Sequence, residues 1–382
     1  MFVGAISIFL TFLYLFILGF YSYGWFKSKS SGFKLTATEK LPQISIIVPA
    51  RNEASNIKNC IYSLMAQSYP QNLFEIIVVD DESEDSTSEI VMQLTAEVQN
   101  LRLLRSSENT SSTATSKKRA LETGIAAATG ELIVCTDADC THTELWLFSL
   151  AGGWQQGLKK FIAAPVVLNT DKTLLSIFQT LDFMTLQGIT AASVATGFHT
   201  MCNGANIAYS REAFYEAGGF KGIDNLPTGD DMLLMHKIYK KHPAGIAYIR
   251  HADAVVTTKA AQDWYAFFNQ RIRWASKAAF FDDKRIFWVL LLVYLLNVWL
   301  LVLAVGSLFS KYILYNLIGV LLSKTIIEMA FLLPVATFFK KQRLMWFFPL
   351  LQPIHILYTI AAGWLGRFGS YQWKGRTIRH NT

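Results

Sequence analysis

Carboxylates recur at one kind of place in this chain, directly beside short apolar runs. Asp80 and Asp81 follow FEIIVV (74–79), and Asp137-Ala138-Asp139 follows the run Glu131–Cys135. Asp230-Asp231 precedes an amphipathic stretch, Met232–Tyr239, and a further polar cluster, Arg51-Asn52-Glu53, lies just beyond QISIIVP (43–49). Two carboxylates one residue apart can hold a hard divalent cation, Mg2+ or Mn2+, through oxygen, with diphosphate oxygens and water completing the shell. Such an ion neutralises charge that develops on a departing diphosphate. An acidic pair at the start of a helix suits the other half of a transfer reaction. A hydroxyl is a poor nucleophile and must lose its proton to a base, and helix-terminal amides keep a carboxylate ionised. Capping of that helix is the simpler role open to Asp230 or Asp231.

These positions make sense if the apolar runs are strands. Gln43–Pro49, Phe74–Val79, Leu101–Leu104 and Glu131–Cys135 read as strands. Glu53–Ala66, Ser86–Val98 and Lys117–Ala128 have helical spacing, with Gly130 beyond the last. Alternating strand and helix predicts an α/β fold around a doubly wound, mostly parallel sheet, whose ligands bind at the carboxyl ends of the strands. A dinucleotide-binding domain would carry G-x-G-x-x-G after the first strand, where this chain has P-A-R-N-E, and no G-x-x-x-x-G-K-[ST] loop occurs. A diphosphate is then left to a metal ion, and Asp137-x-Asp139 supplies one site for it.

At this point the chain resembles the family-2 glycosyltransferases of GT-A fold. The segments that carry the likeness are IIVPARNEA (46–54), IIVVDDESEDST (76–87), SKKRALETGI (116–125), CTDADC (135–140), NGANIAYSREAFYEAGGF (203–220), TGDDMLL (228–234) and QRIRW (270–274), in the family's order. The resemblance implies a nucleotide-sugar donor, of UDP type. It implies that Pro49, Ala50, Asn52 and Glu53 form the loop under the nucleotide, that Asp81 meets the base, and that Lys117 lies near the nucleotide. Asp137, Ala138 and Asp139 match the D-x-D element at diphosphate and metal. Asp231 falls where the family has its base, with Asp230 in place of the usual preceding Glu. Ser116 stands where the family usually has Gly. Gln270, Arg271, Arg273 and Trp274 match the Q-x-x-R-W element of membrane-integrated members, with Gln270, Arg271 and Trp274 assigned to acceptor or product and Arg273 to the donor.

Arginine pairs with phosphate oxygens in bidentate fashion. Residues two apart face different ways on a helix, so only one of Arg271 and Arg273 is expected to reach the site, and the family match favours Arg273. Trp274 offers a flat face to a sugar ring or to the bilayer interface. One base and one metal-held leaving group fit a single displacement with inversion, since no second nucleophile is evident. The expected reaction is transfer of one sugar to a lipid or other membrane-associated acceptor. A processive synthase of cellulose, chitin or hyaluronan type is the alternative, because QRIRW occurs there too. His199, His236, His242 and His251 show no repeated ligand spacing, and the Ser/Thr-rich stretch Ser106–Ser116 reads as a surface loop.

Of the 382 residues 52% are hydrophobic, and the excess lies at the two ends. Phe2–Tyr23 is almost uncharged and long enough for a bilayer, which takes roughly 20 residues. Phe287–Phe309 and Tyr312–Phe339 read as two further spans. Leu344–Leu365 reads in one of two ways: as a further span, which would put the basic tail outside, against the charge rule, or, broken at Pro349 and Pro353, as a re-entrant or interfacial pair of helices that leaves the tail inside. The expected organisation is an N-terminal anchor (1–26), a catalytic domain (42–283), C-terminal membrane segments (284–366) and a basic tail (367–382). From Lys284 onward there are 11 basic residues and one acidic one, out of a net charge of +7 for the chain. The basic excess therefore flanks the apolar runs, where anionic lipid attracts it, and a nucleic-acid partner is not expected. Lys27, Lys29 and Lys34 after the first run predict an integral membrane protein with its catalytic domain cytoplasmic. Cys60, Cys135, Cys140 and Cys202 fit reduced, buried thiols.

Overall fold

The computed structural model describes residues 2–28, 40–106, 116–155, 159–224, 229–276, 282–368, 370–373 and 376–379. Along the chain run α1 (Phe2–Lys27), β1 (Ile44–Ala50), α2 (Ile57–Met65), β2 (Phe74–Asp80), α3 (Thr87–Thr95), β3 (Leu101–Arg105), α4 (Ser116–Ala127), β4 (Leu132–Cys135), β5 (Thr141–His142), α5 (Trp146–Gln155), β6 (Phe161–Ala163), β7 (Val166–Asn169) and α6 (Leu174–Thr196). They continue as β8 (Ile207–Ser210), α7 (Arg211–Glu216), α8 (Asp230–Lys241), β9 (Ile246–Tyr248), β10 (Val256–Lys259), α9 (Trp264–Ser276), α10 (Lys284–Gly306), α11 (Lys311–Phe338), α12 (Phe348–Phe368), β11 (Ser370–Trp373) and β12 (Arg376–Arg379). By its contacts the chain forms two compact units, one of residues 28–169 and 200–259, the other of residues 1–27, 170–199 and 260–382.

The first unit is built on a seven-stranded sheet of order β3-β2-β1-β4-β8-β6-β9. β1 pairs in parallel with β2 and β4, and β2 with β3, so their carboxyl ends share one edge. The central strands are apolar without alternation because both faces are covered, and Ile46, Ile47, Val48, Ile76, Ile77 and Val78 are all fully buried. β8 enters antiparallel between β4 and β6. A smaller sheet, β5-β10-β7, forms beside the acidic turn that follows β4. Helix α2 begins four residues later than its spacing predicts, and the amides of Asn52, Glu53 and Ala54 ahead of it donate to side chains of residues 83–87. Most of the Ser106–Ser116 stretch and Thr228 lie outside the described residues.

The second unit contains α1, α6, α9, α10, α11, α12 and the β11–β12 hairpin. Four of its segments are long and apolar enough to cross a membrane: Phe2–Lys27, Lys284–Gly306, Lys311–Phe338 and Gln342–Arg367. Large side chains such as Phe9, Phe12, Val302 and Ile326 stand exposed on them, as a lipid-facing surface requires. Polar groups turn inward. Lys324 pairs with Glu328 at 2.8 Å and donates to Gln352 at 2.7 Å, while the Tyr14 hydroxyl donates to Glu328. The expected catalytic stretch 42–283 thus gives α6 and α9 to the unit that holds the long apolar helices. α6 is buried along most of its length. Close approach there relies on glycine, since a Cβ on Gly24 would lie 2.7 Å from the Ala192 carbonyl and one on Gly188 2.8 Å from Val335.

Of the two forms open to the final apolar run, the structure has the single long helix. It is not split into a pair of helices at its prolines. A 3-10 turn, Gln342–Phe347, leads into the single 21-residue helix α12. Pro349 falls in the first turn, where amides have no intrahelical partner anyway, so it removes no bond, and Pro353 removes only one.

Candidate active site

The carboxyl edge of β1, β2 and β4 gathers most of the residues expected at the donor. Just beyond β1 the chain turns at Asn52, whose φ of 53° is in the left-handed region that asparagine tolerates. Its Oδ1 accepts from the Glu84 amide at 2.8 Å, and its own amide donates to Ser83 Oγ at 3.0 Å. The Glu53 amide donates to Thr87 Oγ1 at 2.8 Å and that of Ala54 to Asp85 Oδ2 at 3.0 Å. Alternate residues 83, 85 and 87 thus receive three consecutive amides, and the loops after β1 and β2 are joined into one platform. Pro49 and Ala50 form the strand end beneath it, with Ala50 opposite Asp80.

Asp81 is buried, and the Arg119 guanidinium lies 3.6 Å from its Oδ1 and 3.0 Å from Glu82. Arg51 donates to the Asp81 carbonyl at 3.1 Å. The acidic turn after β4 lies beside this platform. Lys117, from the first turn of α4, reaches Asp137 Oδ1 at 2.8 Å and Asp230 Oδ2 at 3.6 Å. Burial alone would lower its pKa, but Asp137 and Asp230 raise it well above the usual lysine range, so the ammonium is charged at every ordinary pH. Pro49, Lys117, Thr136, Asp137, Gly204 and Asp230 line one pocket with an apolar wall behind them.

Asp230 and Asp231 are the first two residues of α8, after Gly229 at φ 85°, not the residues before the helix. Asp231 accepts from the Gly204 amide at 3.0 Å and from the Met232 amide at 2.8 Å, which orients its carboxylate. Lys240 and Lys241 occupy the opposite end of α8, so both ends complement the helix dipole.

Asp139 carries the clearest electrostatic signature. Burial, then the charges of Asp137 and Glu53, push its carboxyl up to about 6, against the favourable hydrogen bond from Thr258. Of Glu53, Asp137 and Asp139 only Asp137 is met by Lys117, and Asp137 with Asp139 is a carboxylate pair that fits a divalent cation. Among the described residues no three His, Cys, Asp or Glu side chains converge into a cage, so diphosphate oxygens and water would have to complete the coordination of any ion held there. A carboxyl raised in the folded state binds its proton more tightly folded than unfolded, so stability falls as pH rises through the interval between the two values. The thermal midpoint of metal-free protein should therefore drop between about pH 4 and about pH 6 at this site, and saturating Mn2+ should reverse the drop. Scanning calorimetry with EDTA or Mn2+ at each pH checks this, and equal slopes in both would sink it.

Several site residues escaped the sequence reading. Thr258 and Lys259 end β10, and Lys259 donates to Asn56, which in turn donates to Glu53 at 2.7 Å. Polar residues at a strand end were the signal that located the others, and β10 shows the same signal. His142 accepts or donates at Ser63 (2.9 Å) and Thr136 (2.8 Å), and burial pushes it down to about 3, so it is a neutral brace for the turn. His199, His236, His242 and His251 each meet ordinary partners, such as Thr200 beside His236 and Glu216 beside His242. None of the four cysteines is in a disulfide, and all four are buried.

Gln270, Arg271, Arg273 and Trp274 lie on α9 in the second unit. Arg271 is 4% exposed and pairs with Asp182, while Gln270, Arg273 and Trp274 are half-buried.

Comparisons with known proteins bear on these two units. The sequence pattern described as Glycosyl transferase family 2 matches residues 45–218, and that described as Glycosyl transferase family group 2 matches residues 132–364. Glycosyltransferase AglE of Haloferax volcanii is 37% identical over 110 residues, 29% of this chain and 34% of that protein. Beta-monoglucosyldiacylglycerol synthase of Trichormus variabilis is 31% identical over 123 residues, 32% of this chain and 26% of that protein. The chain thus spans about a third or less of the length of these relatives. Among solved structures, the mannosyltransferase PcManGT from Pyrobaculum calidifontis, in complex with GDP-Man and Mn2+, aligns with a TM-score of 0.57 at 19% identity, over 95% of this chain and 98% of that one. That likeness is one of fold, and the fold is GT-A.

Proposed function

Since this chain belongs to glycosyl transferase family group 2, whose pattern spans more than half of it, we propose that it moves one sugar from a UDP-sugar to a lipid acceptor with inversion at the anomeric carbon. The observation that carries this reading is the meeting, within one unit, of the acidic turn Asp137–Asp139 with the acidic pair Asp230–Asp231, joined by Lys117. Leaving-group and nucleophile functions then share one pocket edge.

In this reading the acceptor hydroxyl gives its proton to Asp231 as its oxygen attacks the anomeric carbon. The bond to the diphosphate oxygen breaks, and its electron pair leaves with the nucleoside diphosphate. A divalent cation at Asp139 and Asp137 would supply charge neutralisation on that diphosphate. Lys117 adds a fixed positive charge on the same side, and Asp230 keeps it oriented. Pro49, Ala50, Asn52 and Glu53 support the nucleotide, Ala138 packs beneath the turn, and Arg273 contributes a donor contact. Asp81 accepts from the base, and a carboxylate can accept the ring N–H of uracil or of guanine, so both nucleotides belong in the test. Gln270 and Trp274 serve the acceptor side.

A lipid acceptor is supported by the four long apolar helices and by the lipid product named for the diacylglycerol relative. Lys340, Lys341 and Arg343 follow α11 as Lys27 ends α1, which supports a cytoplasmic catalytic unit in an integral membrane protein. The test is a screen of UDP- and GDP-sugars against lipid extracts, with protein in detergent and Mg2+, Mn2+ or EDTA, read by mass spectrometry. A single hexose increment on a lipid is expected. A ladder of increments would replace single transfer with processive synthesis, and turnover with GDP-sugars alone would overturn the choice of nucleotide.

A further inference from the structure

Asp182 sits in α6, a helix buried along most of its length, where a carboxylate is costly unless its charge and lone pairs are met. They are met from two other helices. Arg271 of α9 approaches Asp182 Oδ2 through Nε at 2.9 Å and Nη2 at 2.7 Å. The Tyr358 hydroxyl of α12 donates to Asp182 Oδ1 at 2.5 Å. The remaining arm of the guanidinium, Nη1, donates to Gln270 Oε1 at 2.8 Å. The guanidinium carbon also lies over two rings, 4.7 Å from the Phe267 centroid and 4.3 Å from the Trp274 centroid. Phe178 and Tyr358 close the surround, each with its ring centroid 5.5–5.6 Å from that of Phe267. Arg271 is therefore spent inside the unit, and it touches two members of the Q-x-x-R-W element directly.

We propose that Asp182, Arg271 and Tyr358 are positioning residues, an interior clamp that ties α9 to α6 and α12 and fixes Gln270 and Trp274 for transfer to the acceptor. The catalytic consequence rests on the glycosyl-transfer reading above, whereas the structural consequence rests only on contacts within one unit. An apolar contact between these helices would tolerate sliding. A carboxylate held on Oδ2 by the guanidinium of one helix and on Oδ1 by the hydroxyl of another leaves little room for sliding, and the same guanidinium then dictates where the Gln270 amide and the Trp274 ring lie. Lysine in its place would keep the charge but lose the second arm that reaches Gln270 and the flat surface beside the rings.

The test uses the full chain in detergent, with Arg271→Met, Arg271→Lys, Tyr358→Phe and the double variant Asp182→Leu/Arg271→Met. Hydrogen exchange of residues 264–276, thermal midpoint, UDP affinity and the kcat and KM of transfer are measured. Arg271→Met leaves a buried carboxylate uncompensated, and it should speed exchange of 264–276 and lower kcat by about 100-fold each, with UDP affinity falling by far less than kcat because only Arg273 of the donor contacts lies on this helix. Arg271→Lys and Tyr358→Phe should show smaller losses of the same kind, about tenfold, and they serve if Arg271→Met does not fold. The double variant removes both charges, so it should recover the midpoint without recovering kcat. Recovery of kcat together with the midpoint would reduce the triad to a structural pair and overturn the proposal, as would unchanged exchange in all single variants. If the unaltered protein transfers no sugar to any lipid, the function reading fails, and exchange of 264–276 still decides the clamp.

Discussion

Asp231→Asn is expected to lower sugar transfer by about 10²–10⁴-fold while leaving nucleotide affinity within about twofold. The carboxylate is held by the Gly204 and Met232 amides, one on each oxygen. An asparagine keeps one of those oxygens as an acceptor, so at most one backbone hydrogen bond is lost and the geometry of α8 should survive. What disappears is the ability to take a proton from the acceptor hydroxyl. Asp230→Asn should behave differently, because Asp230 pairs with Lys117 and supports the donor side. Its loss should appear in donor KM as well as in kcat. Initial rates with a UDP-sugar, beside calorimetric UDP titration, separate the two variants. Near-normal turnover of Asp231→Asn would move the base elsewhere.

Asp139→Asn should remove metal-dependent turnover, with a loss of about 10³-fold at saturating Mn2+, since a cation that stabilises a leaving diphosphate is worth several kcal/mol. The same change should make the metal-free protein more stable above about pH 6. Asp139 is a carboxylate raised by burial and by Asp137 and Glu53, and neutralising it relieves that repulsion. Activity and stability should therefore move in opposite directions, the pattern of a residue kept for function at a cost in folding energy. The stabilisation that Mn2+ gives the unaltered protein should vanish in the variant. A retained Mn2+-dependent shift of the midpoint would assign the cation to other residues. Normal turnover of the unaltered protein in EDTA would remove the metal from the reaction altogether.

Much of the first unit follows from local pattern. A mostly β-branched run without polar alternation, such as ISIIV, can be buried on both faces only in a covered sheet, so β1, β2, β3 and β4 and the helices between them are legible from residues 43–135. Parallel strands share a carboxyl edge, so polar residues after each one must meet there. That is why Asn52, Glu53, Asp81, Asp137 and Asp139 could be named together before any contact was known. The same logic stopped at β8, which runs antiparallel and places Gly204 under Asp231, because nothing in IAYS states its direction. It also left the last apolar run open between one helix and a pair broken at its prolines. A proline is a breaker only where its missing amide would have been used, and Pro349 occupies a turn where it is not.

The amino-acid sequence by itself determined the alternation of strands and helices, the edge at which the acidic residues gather, and the apolar lengths of four membrane-capable segments. Each of these is a property of consecutive residues. Tertiary structure alone decided which charges meet. Lys117 bridges Asp137 and Asp230, Arg119 backs Asp81, and Ser83, Asp85 and Thr87 each take an amide of the 52–54 turn. It also decided that α6 and α9 join the long apolar helices, and that Arg271 is enclosed by Asp182 and Tyr358. The physical reason is the same in each case. An isolated aspartate, arginine or tyrosine carries no mark of its partner, and the energy that fixes it comes from desolvation against a group far away in the chain.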